Sequence, residues 1–225
     1  MKVLITAGAT REPIDAVRFL SNVSTGATGA SLAVLLTALG YDVTLLRGEG
    51  SIGGDAAIEQ EIFNSAFDLS ARLLHRLAAG AYDAVIMSAA VSDYRAASPV
   101  SGKIASDSEQ FSLPLVRNPK ILPLLKSFSP RPLHVVGFKL TAGASPAERL
   151  CVVTKQFTDG GVDAIVHNDL SDLRAVPRNA HPFTLYARLG HVPQPLAGVA
   201  ALASALDSFL ASGNQPTSSS IDPAP

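Results

Sequence analysis

The chain has 225 residues, 47% apolar and only 16% charged, with Lys+Arg 18 against Asp+Glu 19 for a formal net charge of −1. That balance lacks the basic surplus of a nucleic-acid grip, and it equally disfavours an acidic disordered solubiliser. The single cysteine, Cys151, excludes an internal disulfide framework and a multi-cysteine metal site, and reads as a small buried hydrophobe.

Residues 2–7 are a continuous apolar strand candidate that stops at Gly8. This run is too short for a secretory h-region, and no later stretch reaches the roughly 20 apolar residues of a membrane span. A soluble, cytoplasmic protein with no nucleic-acid or membrane partner is therefore expected, and the sequon Asn22-Val23-Ser24 is not a glycan site. A helix is predicted over 25–39, with Leu32, Leu35, Leu36 and Leu39 on one face and Gly40 as its stop. A strand over 41–47 follows, then a glycine-rich loop over 48–54 and a short strand over 61–64. The helix predicted over 65–79 carries Phe67, Leu69, Leu73, Leu74 and Leu77 at roughly helical spacing. Residues 83–90 are a third buried strand. The stretch 91–110, rich in Ser and Ala, has the length of a lid or binding loop.

A short helix is predicted over 119–128, with Asn118 as N-cap and Pro119 at the first helical position. A strand over 134–140, a helix over 145–159 and a strand over 162–167 come next. Residues 183–189 and 191–194 around Gly190 predict a β-hairpin, and 195–211 a closing helix. From Ser212 the composition predicts a disordered tail, which leaves 1–211 as a single domain. Strand and helix in alternation are the pattern of parallel βαβ units. The expected fold is α/β, Rossmann-like, a mostly parallel sheet with helices on both faces, to which the late hairpin adds antiparallel strands.

In such a sheet ligands bind beyond the carboxyl ends of the strands. After the first strand, Gly8 lets backbone N–H groups approach a phosphate; the G-x-G-x-x-G fingerprint is missing, and a plain turn fits the segment as well. Arg18 to Gly26 leads into the first helix, and Gly8, Gly26 and Gly29 crowd one region. Orphan N–H groups and the helix dipole make that end a phosphate site, with simple capping by Ser24 or Thr25 as the alternative. Asp93, after the third strand, suits a polar substrate or a metal-bound nucleotide, or is a turn residue. Lys103 closes over a developing negative charge, or is a solvated surface lysine. Asn118-Pro119-Lys120-Ile121 opens a further potential anion end. Phe138 suits stacking on a base or packing in the core, and Asn168-Asp169 lies at the ligand edge.

Taken in order, TAGATREPIDAVRFLSNVSTG at 6–26, AAVSDYR at 89–95, GKIAS at 102–106, LVRNPKIL at 115–122, VGFKL at 136–140 and HNDLS at 167–171 resemble the phosphopantothenate–cysteine ligase family (phosphopantothenoylcysteine synthetase). The resemblance covers about residues 1–210 and is nearer to stand-alone bacterial members than to those fused to a decarboxylase. It implies activation of 4′-phosphopantothenate by a nucleoside triphosphate, CTP favoured over ATP, and then amide formation with cysteine in coenzyme A synthesis. Mg²⁺ accompanies the triphosphate, no metal ligands are assigned, and a homodimer is implied, with the late hairpin as the guessed contact. The flavin-dependent decarboxylase half of fused members has no counterpart, so no flavin is expected.

Carried over residue by residue, the resemblance makes Asn22 the donor that holds the acyl intermediate and Lys103 the flap lysine at the activated phosphate. Arg18 meets phosphopantothenate, of its own subunit or of the neighbouring one in a dimer. Gly8, Ser24, Gly26 and Gly29 line the triphosphate, and Ala89, Ala90 and Asp93 contact substrate or nucleotide. Asn118, Pro119, Lys120, Ile121, Phe138, Lys155 and Asn168 complete the nucleotide pocket. The chain departs from the family at Ala9, where a glycine is common, and at Ala105-Ser106, where fused relatives carry lysines. Lys155 stands alone where fused members show two lysines. An NAD(P)-dependent reductase on a similar fold predicts a G-x-x-x-G-x-G-like first turn and often a Tyr-x-x-x-Lys pair. Here Tyr41, Tyr82, Tyr94 and Tyr186 are followed four positions later by Leu45, Ile86, Ser98 and Gly190. Against a non-catalytic nucleotide-binding protein stands the presence of both Asn22 and Lys103.

Overall fold

A computed structural model describes residues 1–107, 109–187 and 192–212. Strands β1 (Lys2–Ala7), β4 (Asp42–Gly48), β5 (Glu59–Phe63), β6 (Ala84–Met87), β9 (His134–Thr141) and β10 (Ala164–Asp169) run parallel. Strands β11 (Pro182–Tyr186) and β12 (Gln194–Ala197) add antiparallel, and the order across the eight-stranded sheet is β12-β11-β10-β9-β6-β1-β4-β5. The α/β expectation thus holds, hairpin included. The turn expected at Gly190 and the tail beyond residue 212 lie outside the described residues.

Helices α1 (Ala27–Ala38) and α6 (Gly198–Ser212) cover one face, and α2 (Ala66–Ala78), α3 (Leu125–Phe128) and α4 (Pro146–Gly160) the other. The alternation of the central strand explains both cores. Val3, Ile5 and Ala7 point into the α1–α6 side and Leu4 into the other, because successive side chains of a strand face opposite ways. Every residue of β1 after Lys2 is buried, as expected where helices cover both faces. Helix α1 packs through Gly29, Ala30, Leu32, Ala33 and Leu36, so its contact is made by small residues more than by the predicted leucine stripe, and Leu39 is exposed. Likewise α2 buries Ala66, Leu69, Leu73 and Leu77 but leaves Phe67 and Leu74 exposed. Gly40 follows α1 with φ +91°, which is the left-handed stop that the sequence predicts. Ser145, Pro146 and Glu148 open α4 with a full capping box. Cys151 on α4 is exposed, against the expectation of a buried thiol.

Several predicted elements are corrected. The strand predicted over 83–90 ends at Met87, because Ala89 N–H turns to donate to the Thr6 hydroxyl at 3.1 Å. The helix predicted over 119–128 shrinks to a 3-10 turn, Leu122–Leu124, followed by α3. Pro123 lacks an N–H, and in an α-helix its ring would strike the carbonyl four residues back, so no helix runs through 119–121 and Asn118 caps nothing. The predicted loops hold two small antiparallel hairpins, β2 (Arg11–Pro13) with β3 (Phe19–Ser21), and β7 (Tyr94–Ala96) with β8 (Leu115–Arg117). A short helix α5 (Leu170–Arg174) was not predicted, and α6 begins at Gly198 rather than 195 and still includes Ser212. Among the described residues no helix is long and apolar enough to cross a membrane.

Candidate active site

The chain leaves β1 for β4 on one side and later returns to β6 on the other, so the strand order reverses between β1 and β6. A crevice opens at such a switch point. Gly8 follows β1 with φ +80°, and Gly26 precedes α1 with φ +76°. A Cβ on Gly26 would lie 3.0 Å from Gly8 N, and one on Gly29 would lie 2.7 Å from the Ala7 Cβ and 3.1 Å from Thr6 O. The three glycines therefore let the first turn of α1 sit directly on the end of β1. Gly26 is the N-cap and no side chain caps the helix. Ser24 and Thr25 take long local bonds, 3.4 Å each, from Gly26 N–H and Ala27 N–H, and the Thr25 hydroxyl also accepts from Arg178 Nη2 at 3.3 Å. With no acidic side chain in its first turn, α1 presents unneutralised N–H groups and the positive end of its dipole.

Four segments are stitched into a ring beside this mouth. Ala90 N–H donates to Gly8 O at 2.7 Å, Thr10 N–H to Ala90 O at 3.3 Å, and Ser92 N–H to the Thr10 hydroxyl at 2.9 Å. Ala89, Ala90 and Asp93 are thereby carried beside Gly8. Asn22 donates its side-chain amide to Val91 O at 3.2 Å, so the segment entering α1 leans on the same loop. From the far side Asn118 donates its side-chain amide to Ser92 O at 3.0 Å and its N–H to Asp93 O at 2.9 Å. Lys120 closes an ion pair on Asp93, with both side chains well exposed. Sequence reasoning missed the buried hydroxyls of Thr6 and Thr10 that hold this ring; threonines at a strand end just before and after a glycine were the available signal.

Arg18 lies at the β2–β3 turn. Its Nε and Nη2 reach Asp15 Oδ2 at 2.9 and 2.6 Å, and Nη2 also donates to Ile104 O at 2.6 Å. Lys103 is exposed between two anchored neighbours: Gly102 O accepts from Ala16 N–H at 3.2 Å, and Ile104 N–H donates to Asp15 Oδ2 at 3.0 Å. Asn22 and Lys103 thus belong to segments that meet on the β2–β3 hairpin. The Arg18 guanidinium, with the Ile104 N–H next, holds the Asp15 carboxyl far below the usual carboxylate range.

Residues 1–210 match the family model described as the DNA/pantothenate metabolism flavoprotein C-terminal domain. The chain belongs to this family. The coenzyme A biosynthesis bifunctional protein CoaBC of Thermococcus kodakarensis is 34% identical over 169 residues, 75% of this chain and 41% of that protein. The Vibrio cholerae protein of the same name is 31% identical over 209 residues, 91% of this chain and 51% of its own length. The chain spans about half the length of these curated relatives. The crystal structure of the DNA/pantothenate metabolism flavoprotein from Streptococcus pneumoniae superposes with a TM-score of 0.84 at 26% identity, covering 95% of this chain and 100% of that one. A Cab2 variant in complex with phosphopantothenate-cysteine shares the fold, with a TM-score of 0.76 at 19% identity over 95% of this chain and 89% of its own.

Other sequence-predicted residues of this flavoprotein-family domain stand apart from the ring. Phe138 lies within β9 rather than after it, partly buried against the α1–α6 core, which is the packing alternative. Lys155 is closed on Asp159 at 2.6 Å, one turn along α4, and both are exposed. Pro119 is exposed, and Ile121 is buried in the core beside Leu125. Asn168 is half-buried near the end of β10, pairing with Leu140. Its neighbour Asp169, placed by the sequence at the ligand edge without a role of its own, is the organiser there. Asp169 accepts from the Thr141 hydroxyl at 2.6 Å and from the N–H groups of Gly143, Ala144 and Ser171 at 2.8, 3.1 and 2.9 Å. It caps α5 and ties the β9–α4 loop to β10.

These bonds, Thr141 first, hold the Asp169 carboxyl far below its usual range. The Thr141 hydroxyl, spent as donor on Asp169, accepts from His167 Nε2 at 2.9 Å, and burial pushes the His167 imidazole below its ordinary value. A carboxyl depressed in the fold stabilises the protein above its unfolded pKa, and that contribution fades as pH falls through the folded one. We therefore expect the urea midpoint to drop as pH falls below about 4. Asp169→Asn should be less stable at neutral pH and show a shallower acid drop. An equally steep drop in that variant would remove Asp169 from the acid response.

Proposed function

We propose that the chain is a phosphopantothenate–cysteine ligase. The observation that carries this reading is the uncapped N-terminus of α1, seated by Gly8, Gly26 and Gly29 against β1, beside a loop on which the Asn22 amide is already docked. A triphosphate at that mouth meets N–H groups and a positive dipole end. The carboxylate oxygen of 4′-phosphopantothenate attacks the α-phosphorus and pyrophosphate leaves. The cysteine amine then attacks the acyl carbon and the nucleoside monophosphate leaves. Asn22 holds the acyl oxygen, Lys103 meets the charge on the activated phosphate, and Arg18, its fork partly used by Asp15, meets phosphopantothenate. Gly8, Ser24, Gly26, Gly29, Ala89, Ala90, Asp93, Asn118, Pro119 and Lys120 line the nucleotide, with Lys155 and Asn168 at its far end, while Ile121 and Phe138 pack in the core instead.

Support comes from relatives named for coenzyme A biosynthesis and from the shared fold of the Cab2 complex with phosphopantothenate-cysteine. CTP is the favoured nucleotide. Mg²⁺ enters with the triphosphate; among the described residues no group of three or more His, Cys, Asp or Glu could hold an ion. The match is to the C-terminal domain of a flavoprotein family, and flavin has no part in the proposed reaction. We place the enzyme in the cytoplasm as one domain over 1–211, working as a homodimer. As its contact we favour, in place of the late hairpin expected from the sequence, the two small hairpins, which leave Val17, Phe19, Tyr94, Leu115 and Val116 exposed, apolar side chains that a second copy would cover. The test is pyrophosphate release. Protein given CTP, Mg²⁺, 4′-phosphopantothenate and cysteine should release it and form the amide, with ATP, GTP and UTP as parallel arms. Release with none of the four overturns the reading.

A further inference from the structure

We propose that Asp15 is the positioning residue for Lys103, its carboxylate dividing its two oxygens between building the β2–β3 turn and gripping the loop that carries the lysine. This rests on the ligase reading, because it takes Lys103 as the group that meets the activated phosphate. The Asp15 side chain is fully buried. Oδ1 accepts from Val17 N–H at 2.9 Å and Arg18 N–H at 2.8 Å, which makes the turn. Oδ2 accepts from Arg18 Nε and Nη2 at 2.9 and 2.6 Å and from Ile104 N–H at 3.0 Å. Arg18 completes the clasp by donating Nη2 to Ile104 O at 2.6 Å.

A turn alone requires only Oδ1. The second oxygen collects the Arg18 fork and a further N–H from a segment 89 positions away in sequence, and a buried carboxylate is stable only with such partners. Two backbone bonds flank the clasp, from Val100 N–H to Ile14 O at 3.0 Å and from Ala16 N–H to Gly102 O at 3.2 Å. Lys103 therefore projects from a root held on both sides, although the described residues between β7 and β8 otherwise form no helix or strand. The same hairpin carries Asn22 just beyond β3. One buried carboxylate thus registers the flap lysine against the strand that leads to the substrate-holding amide.

Asp15→Asn separates the two duties. The amide is isosteric, and its oxygen can keep the turn while its NH₂ confronts three donors where Oδ2 stood. Two readouts decide. Tryptic cleavage after Lys103 should accelerate about tenfold, since cutting requires the loop root to open. Pyrophosphate release should lose about 10²-fold in kcat, the scale of a misplaced catalytic group. In Lys103→Gln the same Asp15→Asn change should cost nothing further, because an unplaced lysine and an absent one are equivalent. If the double variant instead loses the product of the two single losses, Asp15 acts independently of Lys103 and the proposal falls. It falls equally if Asp15→Asn cleaves and turns over like the parent. If the parent releases no pyrophosphate with any nucleotide, the ligase reading fails, while the cleavage rate still decides whether Asp15 holds the loop. Should Asp15→Asn not fold, Asp15→Ser keeps a hydroxyl for the turn and is judged by the same measurements.

Discussion

Asn22→Ala is expected to slow amide formation by about 10²–10³-fold while leaving nucleoside triphosphate binding nearly unchanged. The side chain hangs on one bond, from its amide to Val91 O at 3.2 Å, and is exposed. Its second amide hydrogen is left for a ligand. The backbone beneath it is held independently: Ser21 donates its hydroxyl to Thr10 O at 2.8 Å and pairs with Arg11 across the β2–β3 ladder. Truncation therefore removes a donor without disturbing the entry to α1, and surface changes of this kind shift stability by no more than about 0.5 kcal/mol. The measurement compares triphosphate affinity with the rate of cysteine-dependent product formation. A variant that forms product at the parental rate would end the role given to Asn22, whatever its affinity for nucleotide.

Gly29→Ala should have the opposite sign from an ordinary helix substitution. Alanine in place of a mid-helix glycine usually stabilises by about 1 kcal/mol. Gly29 lies in α1, where a Cβ would stand 2.5 Å from Ser88 Oγ, 2.7 Å from Ala7 Cβ and 3.1 Å from Thr6 O. Two of these neighbours belong to β1 and cannot swing away, and the Ser88 hydroxyl is engaged with Thr6 O. Overpacking this tight belongs to the upper part of the usual range, about 2–3 kcal/mol, enough to outweigh the helix gain of about 1 kcal/mol and leave a net loss of about 1–2 kcal/mol. Because relief requires α1 to lift from β1, triphosphate affinity should fall with stability. A neutral or stabilising Gly29→Ala, read from urea midpoints, would mean that the helix does not sit on the strand end as closely as the binding argument needs.

Much of the architecture was readable in one dimension because the features responsible are local. A mainly apolar run such as Val3 to Ala7, without polar alternation, declares a strand covered on both faces. Ser145, Pro146 and Glu148 declare a helix start through bonds made within four residues, and Gly40 a stop through its own backbone freedom. The errors also have local causes. Three-residue strands such as Arg11–Pro13 and Tyr94–Ala96 are too short to show an alternation. The cap-and-proline pattern at Asn118-Pro119 was genuine, but Pro123 blocks the helix it announces. The glycines at 8, 26 and 29 do gather in one place, since helix and strand backbones approach there too closely for a Cβ.

The sequence by itself determined the kinds of element, their order and the residue types available for chemistry, because propensity, periodicity and capping act over a few residues. Only the tertiary structure decided which of those residues meet. Asn22 reaches Val91 across 69 positions, Thr10 reaches Ser92 across 82, and Asp15 reaches Ile104 across 89. Those meetings follow from the placing of β6 beside β1 while β4 takes the other side. That choice is made by the burial of both sheet faces at once, and no short stretch of chain records it. Nor does any local signal report that Asp15 is buried, since its charge is tolerable only after Arg18 and Ile104 have arrived.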